Sequence, residues 1–209
     1  MKIYDWHIAP NPRRLHIYVA EKGLNIPLVE VGTDKLTLSD EYKAKYPHAM
    51  VPMLELDDGT CIGEAMAIAR YLEALYPDPP LFGTDPKDRA IVDMWEKRVN
   101  EEGMLAASEL FRNTAPTFAD RGLPGSAEPI PQIPELTKRA LERMNRFFNK
   151  FDGQLADKPF VAGERYTVAD ITTLCAIDFG KWTDLDIPED CKNLRRWYDD
   201  VSARPSAKV

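Results

Sequence analysis

The stretch YPDPPLFGTDP, residues 76–86, constrains this chain more than any other. Its prolines fix φ and remove backbone donors, so neither a regular helix nor a central strand runs through it. The hydrophobic patterns on its two sides differ in kind. Upstream, short alternating runs are interleaved with helical ones; downstream, only the helical period persists. This predicts two domains, 1–79 and 86–209, joined by an interdomain linker.

The first eighty residues read in the order βαβ, then a helix, then ββα. KIYDW is a strand, and the helix after it stops at Gly23. Pro12 suits the first helical position, with Asn11 before it as the cap. Leu15, Tyr18 and Val19 share one face of this helix, with Lys22 at its edge. Tyr4, on the first strand, is expected to face the core. PLVEV is a second strand and SDEYKAKY a short helix. VPMLELDDGTCI is a hairpin with Asp58-Gly59 in its turn. EAMAIARYLEALY closes the region as a helix with Ala65, Ile68, Leu72 and Leu75 on one face.

Downstream, Asp85-Pro86 opens a long helix through about Asn113. Ile91, Met94, Trp95, Leu105 and Leu110 are its expected core residues, and Gly103 is a point of bending. Residues 114–134 carry five prolines and two glycines, which predicts a long loop of the kind that often serves function. Leu141, Met144, Phe148 and Phe151 mark the next helix. TVAD, 167–170, has the shape of a capping box and opens a helix with Ile171, Leu174 and Phe179. A last helix carries Leu194, Trp197, Tyr198 and Val201.

Composition narrows the function classes. Lys and Arg number 27 against 34 Asp and Glu, a net charge of −7. An acidic chain disfavours nucleic acid as a partner. The N-terminal stretch lacks a signal-peptide apolar run, and no segment approaches a membrane span. The three cysteines, Cys61, Cys175 and Cys191, are odd in number and far apart. They fit free thiols in a reducing, cytoplasmic setting better than disulfides or zinc. His7, His16 and His48 lack ligand spacing, so no metal site is expected.

Several segments, in order, resemble the cytosolic glutathione transferases. NPRRLHIYVAEKGL is similar to that family's first helix. YPHAMVPMLELDDGTCIGEAMAIARYLEALYP resembles its glutathione-binding segment, and KPFVAGERYTVADI its C-terminal hydrophobic staple and capping box. The resemblance spans nearly the whole chain. It implies a thioredoxin-like α/β N-terminal domain, an all-helical C-terminal domain and a homodimer, with residues 64–76 and 86–113 available for the two-fold contact.

It also implies a site. Val51-Pro52 is expected to be cis, with Val51 pairing to the cysteinyl backbone of glutathione and Met50 beside it. The helix opened by Glu64-Ala65 suits the γ-glutamyl carboxylate, because a helix N-terminus offers free N–H groups and partial positive charge. Glu64 is expected to hold the adjacent ammonium. Ala65 departs from the family's usual Ser or Thr and gives up one hydrogen bond. Lys35 and His48 are expected near the glycyl end.

HIAPNPRRL, residues 7–15, has no thiol or hydroxyl where the family usually carries Tyr, Ser or Cys. Ala9-Pro10-Asn11-Pro12 occupies the place of the thioredoxin C-P-x-C tetrad, so any reacting sulfur arrives with glutathione. Asn11 is the candidate catalytic residue, its amide donating to the thiolate; the nu class of bacterial transferases resembles this. Asn11 as a plain cap, or a water held by Asn113 or Thr114, are the alternatives. Met104, Arg112, Asn113, Thr114 and Phe118 are expected to line a pocket for a small hydrophobic electrophile. The expected function is conjugation of glutathione to that electrophile, a detoxifying transferase reaction. Its rivals are glutathione-dependent disulfide reduction and a non-catalytic binding module.

Overall fold

The computed structural model describes residues 1–31, 39–126 and 128–209. They form two compact units: 1–79 with 123–129 and Val209, and 80–122 with 130–208.

The first unit is a four-stranded sheet, β1 (Lys2–Asp5), β2 (Leu28–Glu30), β3 (Met53–Glu55) and β4 (Cys61–Gly63), in the order β2-β1-β3-β4. α1 (Pro10–Glu21) is the crossover between β1 and β2, which pair in parallel. Parallel strands need such a connection, whereas β3 and β4 need only a tight turn. That turn is the expected one: Gly59 takes φ +85° and Asp58 Oδ1 accepts from the Thr60 N–H at 2.8 Å. The sheet has two apolar faces. Tyr4 and Met53 are cross-strand neighbours on one, with Val31, Tyr42 and Tyr46, the last two from or just after α2 (Asp40–Lys45). By alternation, Ile3 and Leu54 point to the other. α1 packs against α3 (Ala65–Leu75), and their Leu15, Tyr18, Ile68 and Leu72 are fully buried.

Lys22 is far from a peripheral residue. Its ammonium is completely buried, pairing with Glu73 at 2.6 Å and donating to the carbonyls of Tyr76 at 2.8 Å and Pro79 at 2.5 Å. Tyr18 Oη donates to the same Glu73, and burial together with that carboxylate pushes its hydroxyl well above the ordinary phenol range.

The second unit is helical. The expected long helix is α4 (Pro86–Val99), a π-helical segment over Asn100–Met104, and α5 (Leu105–Thr114). Gly103 lies in the π-helical segment. A methyl group there would come within 2.9 Å of the Phe147 ring and 3.1 Å of Ala176 Cβ, so its bareness serves close helix packing. α6 (Glu135–Gln154), α7 (Val168–Lys181) and α8 (Lys192–Ser202) complete the unit. α7 is its axis, apolar on nearly every side and buried. Its start carries the capping box read from TVAD. Asp170 accepts from the N–H groups of Thr167 and Val161 and from the Trp197 indole, each at 2.9 Å. Complete burial pushes its carboxyl up to about 6, against the pull of those donors.

Four expected core residues are exposed instead: Leu75, Met94, Leu105 and Leu141. They keep the helical period but lie beyond the strip that their own unit covers. Asn11 is not the cap of α1. Ala9 takes that place in an extended conformation, and Pro10 stands in the first turn, where its fixed φ fits.

Candidate active site

The strand register assembles the site. Tyr4 faces Met53 across β1 and β3, and Met53 faces Gly63 across β3 and β4. One row thus crosses three strands. Just beyond it lie the turn into α1, the Val51-Pro52 peptide ahead of β3, and Glu64 at the head of α3. Three segments distant in sequence therefore share one end of the sheet.

At the start of α1, Pro10 and Pro12 have no N–H, and the Arg13 N–H is bonded to the Ala9 carbonyl at 3.0 Å. Asn11 supplies the remaining backbone donor of this turn. Its side-chain orientation is also determined. Buried Arg14 donates to Asn11 Oδ1 at 3.0 Å, and a guanidinium can only donate, so the amide NH₂ is the group left over. Exposed Asn11 thus presents two N–H donors and no base. Tyr4 is occupied elsewhere: it donates to Glu55 at 2.7 Å and accepts from Lys45 at 2.9 Å.

The Val51-Pro52 peptide is cis, as expected. Pairing of β3 begins at Met53, so the N–H and C=O of Val51 stand ahead of both ladders, where an extended ligand backbone can meet them. Tyr42 Oη donates to the Met50 carbonyl at 2.7 Å and fixes the approach to this peptide.

Glu64 is the most constrained residue here. It takes φ +66°, a region costing a non-glycine residue on the order of 1–3 kcal/mol. Its carboxylate does not cap α3, whose first turn has no side-chain acceptor. Tyr46 Oη reaches Glu64 Oε1 at 3.4 Å. Tyr46 fits because residue 63 is glycine; a methyl group there would fall inside its ring. Burial, then the Glu64 carboxylate, push the Tyr46 hydroxyl upward. His48 packs edge-on against Tyr46, with centroids 5.2 Å apart. Gly125, with φ +75°, passes so close that a methyl group on it would lie 2.8 Å from the His48 carbonyl. Ala65 is buried at the first position of α3.

Tyr42, Tyr46, Gly63 and Arg14 escaped sequence reasoning. The readable trace was the i,i+4 spacing of Tyr42 and Tyr46 on a short amphipathic helix. Lys35 lies outside the described residues.

The expected electrophile residues all belong to the second unit. Met104 is buried in the π-helical segment. Asn113 is used at both ends of its amide, donating to the Glu109 carbonyl and accepting from the Ile133 N–H, both at 2.7 Å. Thr114 Oγ1 donates to the Leu110 carbonyl at 2.8 Å. Arg112 and Phe118 do come together, with the guanidinium 4.9 Å from the ring centroid. Beside them lie Phe111 and Trp182, absent from the expected set.

Known proteins share this architecture. The profile of the glutathione S-transferase N-terminal domain matches residues 3–80, and that of the C-terminal domain residues 113–205. Glutathione S-transferase 2 of Saccharomyces cerevisiae is 35% identical, over 100% of this chain and 88% of the relative. The crystal structure of Gtt2 from Saccharomyces cerevisiae superposes with a TM-score of 0.90 at 33% identity, covering 100% of this chain and 99% of that one. A glutathione S-transferase domain-containing protein from Marinobacter aquaeolei gives 0.88 at 37% identity, with 99% of each chain covered. A thioredoxin-like sheet with three open segments at one end, followed by a helical unit and matched over its full length, makes this chain a member of the glutathione S-transferase family.

Proposed function

We propose that this enzyme conjugates glutathione to small hydrophobic electrophiles, with the glutathione held at the open end of the N-terminal sheet. The observation that carries the reading is the common address of Asn11, Val51 and Glu64. Val51 pairs with the cysteinyl backbone of glutathione. The first turn of α3, from Ala65, receives the γ-glutamyl carboxylate, and Glu64 holds the ammonium. Met50 stands beside Val51, and His48 is assigned to the glycyl end. The sulfur comes to the mouth of α1.

Asn11 acts there as a donor. Its Oδ1 is engaged by Arg14, so it takes no proton; the thiol proton leaves to solvent. Its N–H groups favour thiolate over thiol because hydrogen bonds to an anion are the stronger ones. The thiolate then attacks the electrophile. Arg112 and Phe118 of the second unit contact that molecule, while Met104, Asn113 and Thr114 shape the surrounding wall. The working form is a cytoplasmic homodimer, which would cover apolar side chains such as Leu75, Met94 and Leu105.

Calorimetry with glutathione, alongside chlorodinitrobenzene conjugation and disulfide reduction on one preparation, tests the proposal. Binding with conjugation in excess of reduction is expected. Reduction in excess identifies a glutathione-dependent reductase instead. No heat from folded protein at millimolar glutathione identifies a non-catalytic module.

A further inference from the structure

Residues 114–134 do more than connect α5 to α6. The loop is pinched at a neck. Arg121 and Ile130 form a parallel bridge, the Gly122 N–H donates to the Ile130 carbonyl at 2.8 Å, and the Ile130 N–H donates to the Asp120 carbonyl at 2.9 Å. The neck is tied to the end of α5. Gln132 Nε2 donates to the carbonyls of Arg112 and Ala115, both at 2.8 Å, and the Ile133 N–H to Asn113 Oδ1 at 2.7 Å. Buried Gly122 lets the two limbs close, since a methyl group on it would lie 2.8 Å from the Pro131 carbonyl oxygen.

A connection between α5 and α6 could end at this neck. The chain instead runs beyond it, and residues 123–129 belong to the first unit. Leu123–Ser126 come to rest on the residues just ahead of Val51. Gly125 stands there at φ +75°; a methyl group on it would lie 2.8 Å from the His48 carbonyl oxygen and 3.6 Å from Met50 Cγ. Those two residues are held firmly: Tyr42 Oη donates to the Met50 carbonyl, and the His48 ring packs on Tyr46. The tip itself is held lightly. Leu123 is 61% exposed, and Pro124 has no N–H. Among the described residues the tip forms no hydrogen bond to either unit, and Ser126 Oγ donates only within the loop, to the Glu128 carbonyl at 3.0 Å. A firm neck, a firm floor and a tip that touches by van der Waals contact alone make a segment that opens without unfolding either unit.

We propose that Leu123–Ser126 is a strap closing the glycyl side of the thiol site, and that it sets how large a group the site admits there. Resting on the placement of glutathione given above, the strap accepts the short glycyl carboxylate beside His48 and must lift for any thiol extended at that carboxyl. Free glutathione is thereby selected over its larger glycyl conjugates. An open site would show the reverse, because added apolar carbons gain from burial wherever they find room.

The methyl and isopropyl esters of the glycyl carboxyl separate bulk from charge: both lack the carboxylate, and they differ only in the size of the alkyl group. Titrated by calorimetry into the full chain, the methyl ester should bind about fivefold tighter or better, the lower end of the cost of forcing carbon into a filled space. Gly125→Ala, which the positive φ and the His48 carbonyl drive off its seat, should bring the ratio below about twofold, through a gain for the isopropyl ester. The substitution lies on an exposed tip, so thermal unfolding should stay where it is. Hydrogen exchange of the Gly125 and Ser126 amides should also slow when glutathione is bound. Equal binding of the two esters to the unaltered chain overturns the strap, and so does a ratio that survives in Gly125→Ala or a tip exchange that glutathione leaves unchanged. With glutathione itself still giving heat, those results leave its placement standing. Absence of heat with glutathione removes the placement and the strap with it.

Discussion

Compare the first turn of α7 with those of α1 and α3. At α7, Thr167 Oγ1 accepts from the Ala169 N–H, and Asp170 closes the box while drawing in Val161 and Trp197. At α1 and α3 the positions before the helix are Ala9 and Glu64, and neither gives a side-chain cap. A helix start normally leaves about four N–H groups unpaired. Where the second unit needs rigidity those groups are satisfied from within. At the open end of the sheet no capping side chain takes up those that α1 and α3 carry, which under the proposed function leaves them for glutathione. One local motif therefore serves two purposes, and stability and binding should respond to substitution at different places.

Asp170→Ala should show the largest effect and break the capped side of this contrast. It strips the acceptor from four donors at once, three of them backbone N–H or indole groups. We expect a loss of about 3–4 kcal/mol, since each buried unsatisfied donor costs about 1–3 kcal/mol and partial relaxation recovers some of it. Urea unfolding measures it. A loss below about 1 kcal/mol would mean that the box is not a keystone of the helical unit.

Asn11→Ala should act on the open side alone. Unfolding free energy should change by no more than about 0.5–1 kcal/mol, while kcat falls about tenfold or more and glutathione affinity moves far less. The ultraviolet absorbance of bound thiolate, titrated with pH, should show its pKa rising. An unmoved pKa would assign activation to the helix terminus or a water.

Glu64→Gly sharpens the comparison, because its two effects have opposite signs. Glycine relieves the φ of +66°, so stability should rise by about 0.5–1 kcal/mol. Glutathione should bind more weakly, as the ammonium loses its partner. Calorimetry and thermal unfolding on the same sample decide; weaker stability would mean that the positive φ carries no strain.

Ala65→Ser should have the smallest effect. A hydroxyl at the first position of α3 adds one donor toward the γ-glutamyl carboxylate, for about a threefold tighter dissociation constant. Turnover at saturating glutathione should stay the same, because the contact lies remote from sulfur. Unchanged binding would place the carboxylate elsewhere.

Much of this was legible in the residues. The Asp58-Gly59 turn, the TVAD box and the change of pattern at residue 76 are local signals, and local chemistry settles them. Leu75, Met94, Leu105 and Leu141 show where periodicity stops. It identifies an apolar stripe on a helix without saying whether the same chain or another covers it. Asn11 was misjudged for a different reason. Two prolines two residues apart, Pro10 and Pro12, each suit a helix start; the helix begins at the earlier one, with extended Ala9 before it, and Asn11 inside the first turn has its Oδ1 taken by Arg14. The fit of Tyr46 over Gly63 depends on a contact seventeen residues apart in sequence, which no window along the chain contains.

The buried ammonium of Lys22 has one more consequence, in chemical reactivity. Its three hydrogens meet three acceptors, Glu73, Tyr76 and Pro79, and its side chain has no exposed surface. An acylating reagent needs a free, accessible lone pair on nitrogen, and Lys22 offers it only when α1 parts from the end of α3. Exposed amines on the same unit, such as that of Lys2, carry no such condition. Timed acylation read by peptide mass would therefore turn Lys22 into a clock for the opening of the N-terminal unit, with no added label and no change of sequence.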